Sequence, residues 1–384
     1  MNHEWRYIAD DAGLVKAVAD IEGATVLGID TEADSFFHYQ EQVCLIQLTA
    51  GQLDLIIDPL AVEDLSLLAP IFADPNVVKV LHGADYDIAS LKRDYDFQVS
   101  PVFDTMLASQ ALGYKRYSLA DLVARFFDVK LEKKYQRRDW SKRPLREEHL
   151  LYARLDSHFL PRLRELLWAE VVEADREEQV LEECRLVEKR ERPDHSFNPD
   201  DFLRIRGAGR LDDRGKRVLR ALYVMRDGMA RERDRPHFKV IGNDALLKIA
   251  AYPPRSVEEL TSLLGKKHHV VRRFSEPVVQ ACREGLADRA KVPRSRPDPR
   301  PTRRLSKPDE TRLFEVLRTW RNKAAKERGV EAGVLMSNAV LQEIAASKIR
   351  SKDDLRGIEP MRDWQRTDFA DDIVALIADL RAAD

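Results

Sequence analysis

Three places in the chain carry side chains whose types and spacing suit hydrolytic chemistry on a charged substrate. At Ile29-Asp-Thr-Glu32 two carboxylates stand two residues apart where an apolar run ends. Strand side chains alternate between faces, so Asp30 and Glu32 project to the same side at the strand's exit. Two such carboxylates repel unless a cation lies between them, and oxygen ligands select hard ions such as Mg²⁺ or Mn²⁺. Asp87 follows the apolar run ending at Leu81 and opens a stretch with Ile88, Leu91 and Tyr95 at helical spacing. Asp85 is its near neighbour and rival for any role. Tyr152 and Asp156 stand four residues apart on a further helical stretch, so a phenol and a carboxylate share one face. Taken singly, each has an ordinary structural explanation: an acidic turn after a strand, a carboxylate favoured by the helix dipole, an exposed acid beside a core rim.

Strands and helices must bring these positions together. Residues 25–31 read as a buried strand entered from Glu22-Gly23. Residues 44–49 and 53–57 flank Ala50-Gly-Gln52 and read as a hairpin. Residues 77–81 form another expected strand, ending in His82-Gly83, where His82 is expected to stabilise the turn. From about Glu147 a long helix is expected, with Leu150, Leu151, Leu155, Phe159 and Leu163 on one stripe. Beyond roughly residue 170 the chain reads as helical throughout.

At 384 residues the chain exceeds one core of usual size, so two or three domains are expected. Residues 1–170 read as the α/β domain, 171–206 as a helical connecting arm, and 207–288 as a compact helical unit. Residues 289–307, with eight Lys/Arg, four prolines and one acid, read as a polar linker before a second helical unit over 308–384. Asn243 precedes Ile249-Ala250 as Asn338 precedes Ile344-Ala345, which reads as a tandem duplication. Cys44, Cys184 and Cys282, odd in number and without paired spacing, argue against a disulfide framework or zinc site and suit reduced thiols in the cytoplasm. No apolar run approaches a membrane span, and the N-terminus reads as no signal peptide. Residues 1–110 carry 19 acidic against 5 basic side chains; since the whole chain is only −2, the remainder is net positive. That asymmetry fits cation binding at one place and polyanion binding at another.

In order, Asp30-Thr-Glu32, His82-Gly-Ala-Asp-Tyr-Asp87 and Tyr152-Ala-Arg-Leu-Asp156 resemble the three exonuclease motifs of the DEDDy superfamily, and within it the ribonuclease D family. Cys44-Leu-Ile-Gln47, Phe103-Asp-Thr105 and Asp139-Trp-Ser-Lys-Arg-Pro-Leu145 extend the likeness beyond the acids. The paired helical units resemble HRDC (helicase and ribonuclease D C-terminal) domains. The resemblance implies an α/β ribonuclease-H-like exonuclease domain, a mixed sheet with helices, followed by two all-α HRDC-like domains. It implies a 3′-to-5′ exoribonuclease that hydrolyses phosphodiesters with two divalent metal ions, Mg²⁺ or Mn²⁺, about 4 Å apart. In that scheme Asp30 bridges both metals, and Glu32 and Asp156 complete the water-activating site. Asp87 holds the second metal through ordered waters, and Tyr152 orients the attacking water and helps take its proton.

The implied product is a 5′-nucleoside monophosphate. The implied partners are tRNA precursors and other structured RNAs with 3′ extensions, met by a cytoplasmic monomer. Residues 114–143, with ten Lys/Arg against four acids, form the expected phosphate-tracking wall. Its candidate contacts are Lys115, Arg116, Lys133, Lys134, Arg137, Arg138, Lys142 and Arg143, with Tyr135 a candidate stacking surface and Trp140 expected as a core anchor. A DNA exonuclease using the same carboxylates, or a noncatalytic RNA-binding scaffold, are the alternatives.

Overall fold

The computed structural model describes residues 4–190, 197–292 and 308–382; the expected linker 289–307 lies outside them from residue 293 onward. Six strands, β1 (Glu4–Ile8), β2 (Val26–Ala33), β3 (Val43–Ala50), β4 (Leu53–Ile57), β5 (Val78–Leu81) and β6 (Val102–Asp104), form one sheet in the order β1-β4-β3-β2-β5-β6. β3 runs antiparallel to β2 and β4, whereas β1 pairs parallel with β4, and β5 parallel with both β2 and β6. The expected hairpin is β3–β4, closed by Gly51 at φ 55°, a left-handed conformation that glycine adopts without strain. This is the mixed sheet that the motif resemblance implied.

Around the sheet lie α1 (Asp11–Asp20), α2 (Ala69–Ala73), α3 (Asp85–Tyr95), α4 (Thr105–Ala111), α5 (Leu119–Phe127), α6 (Glu147–His158), α7 (Leu160–Glu173) and α8 (Glu177–Glu188). Alternation divides the strand side chains between two cores. Leu27, Ile29, Ile46, Leu48, Leu55 and Ile57 pack with Leu14 of α1 and Ile88 and Leu91 of α3. On the other face, Leu45 and Ile56 pack with Trp140, Leu150 and Ala153 beneath α6. The register aligns Asp30 with Gln47, and Gln47 with Ile56, so Asp30 and Glu32 share the α6 face. The α6–α7 junction sits directly on β2 because Gly28 lacks a side chain: a Cβ there would lie 2.8 Å from the Ser157 carbonyl oxygen.

Two expectations need correction. The long helix from Glu147 breaks at Phe159 into α6 and α7, because Pro161 in the first turn of α7 cannot donate the hydrogen bond that would carry α6 onward. The break resets the phase, so α6 buries His149, Leu150, Ala153, Ser157 and His158, while Leu151 is exposed. The connecting arm expected over 171–206 includes α8, whose Val180, Cys184 and Val187 are buried in the cores of the α/β domain. Its run of acids hid an apolar stripe at helical spacing.

The first helical unit is built from α9 (Asp213–Glu232), α10 (His237–Val240), α11 (Asn243–Ala251), α12 (Val257–Leu264) and α13 (His269–Ala287). The second comprises α14 (Pro308–Glu327), α15 (Ala332–Leu335), α16 (Asn338–Ala346) and α17 (Asp363–Ala382). The same tether recurs in each. Arg226 donates to the Ile241 carbonyl and to Asn243 Oδ1 (3.1 and 2.7 Å); Arg321 donates to the Met336 carbonyl and to Asn338 Oδ1 (3.0 and 2.7 Å). By compactness, the sheet domain and the second helical unit fall together, and the first helical unit forms another body with residues 34–42.

Candidate active site

Three elements deliver the predicted carboxylates. β2 presents Asp30 and Glu32, and its pairing with β3 shifts register between Glu32 and Ala33, so the ladder is disturbed at the site. α6 presents Tyr152 and Asp156 one turn apart. α3 brings Asp87 in its first turn, where it is 7% exposed and accepts a hydrogen bond from the Thr31 hydroxyl. Asp85, one residue removed, is solvent-exposed and pairs with Arg190 at 2.6 Å. The cleft above them, about 300 Å³, is lined by Asp30, Glu32, Tyr152 and Asp156, with His82, Ser118, Lys133 and Gln136 added from elsewhere.

Burial and mutual repulsion dominate the electrostatics. Asp30 titrates well above the usual carboxylate range because it is desolvated and faces Asp87, Asp156 and Glu32. Glu32 is raised likewise by burial, then by Asp156 and Asp87. Burial and Asp87 push Asp156 up to about 7. Burial takes Asp87 to about 6, with the Thr31 hydrogen bond opposing the rise. Among the described residues no group of three or more His, Cys, Asp or Glu side chains is drawn close enough to hold a metal ion as it stands. The four carboxylates therefore make an open acidic floor with uncompensated charge, and an all-oxygen set of this kind fits hard divalent cations.

Tyr152 is held by rings. Its side chain stacks on Trp140 (centroids 6.1 Å apart, planes at 26°) and meets Tyr135 edge-on at 5.6 Å. Burial, then Asp156, Glu32 and Asp30, raise the phenol's pKa above its ordinary value. Trp140 is fully buried, as a core anchor should be. His82 hydrogen-bonds Thr105 through Nδ1 (2.9 Å), and the Thr105 hydroxyl donates to the Leu81 carbonyl (3.0 Å). The threonine oxygen is thus the acceptor, His82 carries its proton on Nδ1, and Nε2 is left as an acceptor. Burial lowers the His82 pKa, so the ring stays neutral at pH 7 while bracing the turn.

Comparison with known proteins places this arrangement. A 3′-5′ exonuclease family model matches residues 5–172, and an HRDC domain model matches 215–282 and 310–377. Ribonuclease D of Desulfotalea psychrophila is 31% identical over 68% of this chain and 70% of its own length. The chain belongs to the ribonuclease D family. The crystal structure of Escherichia coli RNase D, an exoribonuclease involved in structured RNA processing, matches with a TM-score of 0.71 and 25% identity over 99% of both chains. Exosome complex exonuclease RRP6 of Saccharomyces cerevisiae is 31% identical over 71% of this chain but only 39% of the yeast protein. The chain thus spans well under half the length of the curated exosome relatives it matches. Exonucleases of the ribonuclease D type use divalent metals, in keeping with the acidic floor. Among the described residues no helix is long and apolar enough to cross a membrane.

In this ribonuclease D relative the basic wall is divided. Lys133 lines the cleft. Lys134 lies 4.8 Å over the Tyr135 ring, and Arg138 lies 5.3 Å over Trp140. Arg137 and Lys142 are exposed. Lys115 and Arg116 line a separate groove beside α5, where Arg116 also pairs with Asp121. Arg143 is the exception. Its guanidinium grips buried Asp58 through two bonds (2.6 and 2.7 Å) and also donates to the Cys44 and Trp140 carbonyls. Those bonds commit it to fixing the loop around Trp140, so it leaves the set of phosphate contacts. Sequence reading also missed the seat of α6: Asp54, 1% exposed, accepts from Arg154 Nε (2.6 Å) and bonds His158 Nδ1 (2.7 Å). The Tyr-Ala-Arg-Leu-Asp motif contained that arginine, but its partner lies a hundred residues earlier.

Proposed function

We propose that this chain removes nucleotides one at a time from RNA 3′ ends, hydrolysing each phosphodiester to a 5′-nucleoside monophosphate. The reading rests above all on four mutually repelling carboxylates from β2, α3 and α6 meeting beside one phenol. Asp30, Glu32, Asp87 and Asp156 would hold two divalent cations, Mg²⁺ or Mn²⁺. When bound, such cations lower the pKa of coordinated water and offset charge on the phosphate and the leaving 3′-oxygen.

The remaining tasks fall to side chains. Tyr152 holds the attacking water by its hydroxyl, which in the metal-free site burial and the neighbouring carboxylates keep protonated, and so orients it. Trp140 and Tyr135 fix the ring. Lys133 meets phosphates at the cleft, and Lys115, Arg116, Lys134, Arg137, Arg138 and Lys142 extend the path. The substrates proposed are tRNA precursors and other structured RNAs with 3′ extensions, and the setting proposed is a cytoplasmic monomer. The likeness to a structured-RNA exoribonuclease supports that choice. Matched RNA and DNA oligonucleotides incubated with Mn²⁺ test it. Mononucleotides should be released faster from RNA, with activity lost in EDTA and in Asp30→Asn. Equal or preferential cleavage of DNA, or undiminished activity in Asp30→Asn, overturns the reading.

A further inference from the structure

Gln47, within the Cys-Leu-Ile-Gln stretch, has no task in the mechanism so far. It sits on β3, fully buried, and neither its amide nitrogen nor its amide oxygen has a hydrogen-bond partner among the described residues. An amide buried without partners costs free energy, and such orphans are uncommon in native proteins.

Its position suggests the reason. Register sets Gln47 directly across from Asp30 on β2, and across from Ile56 on β4. Residues opposed in this way project to the same face with Cβ atoms about 4.5–5.5 Å apart. A glutamine side chain spans that gap. The polar groups next along the face are already committed, since Thr49 bonds Asp54 and Ser157 (2.9 Å each). Ile56 and Leu45 offer no polar atoms. Two carboxylates of β2 share this face, Asp30 directly opposite Gln47 and Glu32 on the diagonal beside Leu45, so Asp30 is the nearer acceptor.

We infer that Gln47 is a positioning residue of the metal site, whose amide N–H donates to Asp30 when a divalent cation is bound and so fixes which carboxylate oxygen faces the ion. The inference rests on the metal-binding part of the proposed function. It follows the common pattern in which a metal ligand is oriented by a hydrogen bond from behind, whose loss weakens metal affinity about 10–100-fold. Asp30 gains most from such a partner because it stands among all three other carboxylates.

The full-length protein with Gln47→Leu and, separately, Gln47→Met tests this, because both replacements are close in volume and carry no hydrogen-bonding amide. Calorimetric titration with Mn²⁺ should show affinity lowered about 10–100-fold. The metal-free variants should melt at or above the parent's temperature, since an orphaned polar group has been removed. The Mn²⁺ concentration for half-maximal RNA hydrolysis should rise in step, with KM for RNA unchanged. Unaltered Mn²⁺ affinity overturns the inference. So does a marked loss of metal-free stability in both variants, which would mean that the amide is already bonded within the fold. A parent that binds Mn²⁺ without cleaving RNA would sink the exoribonuclease reading yet leave the affinity comparison intact. A parent that binds no Mn²⁺ overturns both.

Discussion

Each carboxylate on the site floor holds its proton more tightly in the folded chain than in water. Asp156 is pushed from the usual 3.8 to about 7, Asp87 to about 6, and Asp30 and Glu32 are raised with them. Between the unfolded and folded pKa values the native state binds more protons than the unfolded chain, so stability falls as pH rises. The stability these four groups contribute is fully present below about pH 4 and is lost as pH rises, through about 6 for Asp87 and about 7 for Asp156. Differential scanning fluorimetry in EDTA should therefore show a melting temperature falling by a few degrees or more from pH 5 to pH 8. Mn²⁺ should raise it more at pH 8 than at pH 5, because cations and protons compete for the same oxygens. A flat or rising metal-free profile would contradict the mutual repulsion described here. At this scale much was readable in the sequence. The two-residue alternation of a strand is enough to put Asp30 and Glu32 together. The choice between Asp85 and Asp87 was not readable from spacing, because both sit in the first turn of α3; it takes Arg190, 105 residues away, to pull Asp85 outward. Arg143 misled for the same reason, since Asp58 lies 85 positions earlier.

Elements reach their places by close approach as much as by apolar burial. The α6–α7 junction rests on β2 at Gly28, and α6 is pinned by the Asp54 pair with Arg154 and His158. Asp54 stays below its ordinary pKa: burial alone would raise it, but His158 and Arg154 more than offset that. Gly28→Ala would set a Cβ 2.8 Å from the Ser157 oxygen and 2.9 Å from Pro161 Cδ. Backbone on one side and a proline ring on the other cannot yield cheaply, so α6 must lift. The expected cost is about 1–3 kcal/mol, typical of an overpacked core. The same shift displaces Asp156 from Asp30, and a displacement near 1 Å can cost about 10²-fold in rate. Urea denaturation together with single-turnover RNA hydrolysis would measure both; a variant with parental activity would show that α6 is not seated this way. β2 to β5 were legible because their apolar runs end in turn residues, whereas β1 and β6 were not expected. The α6 stripe was misread because periodicity extrapolates through a break that only Pro161 announces.

Across the whole molecule the duplicated helical units share an internal tether yet belong to different bodies. The duplication was visible as a repeated Asn-to-Ile spacing, but the partner of each copy was not, because docking depends on side chains scattered through α8. There Glu182 accepts hydrogen bonds from the backbone N–H groups of Asp363 and Trp364 (2.8 and 2.9 Å), so a residue of the sheet domain caps α17 of the second unit. Glu183 pairs with Arg362 at 3.1 Å beside it. Two otherwise unpaired helix N–H groups are thereby satisfied from outside the helix, and a negative charge faces the positive end of its dipole. Loss of a helix cap of this kind costs about 1 kcal/mol. In a Glu182→Ala/Glu183→Ala variant, amide exchange over residues 363–366 should quicken about fivefold, while that of α9 in the first unit stays as in the parent. Cleavage of a short single-stranded RNA should hardly change, since β2, α3 and α6 keep their own supports. Unchanged exchange at 363–366 would mean that apolar packing alone holds the second unit to α8.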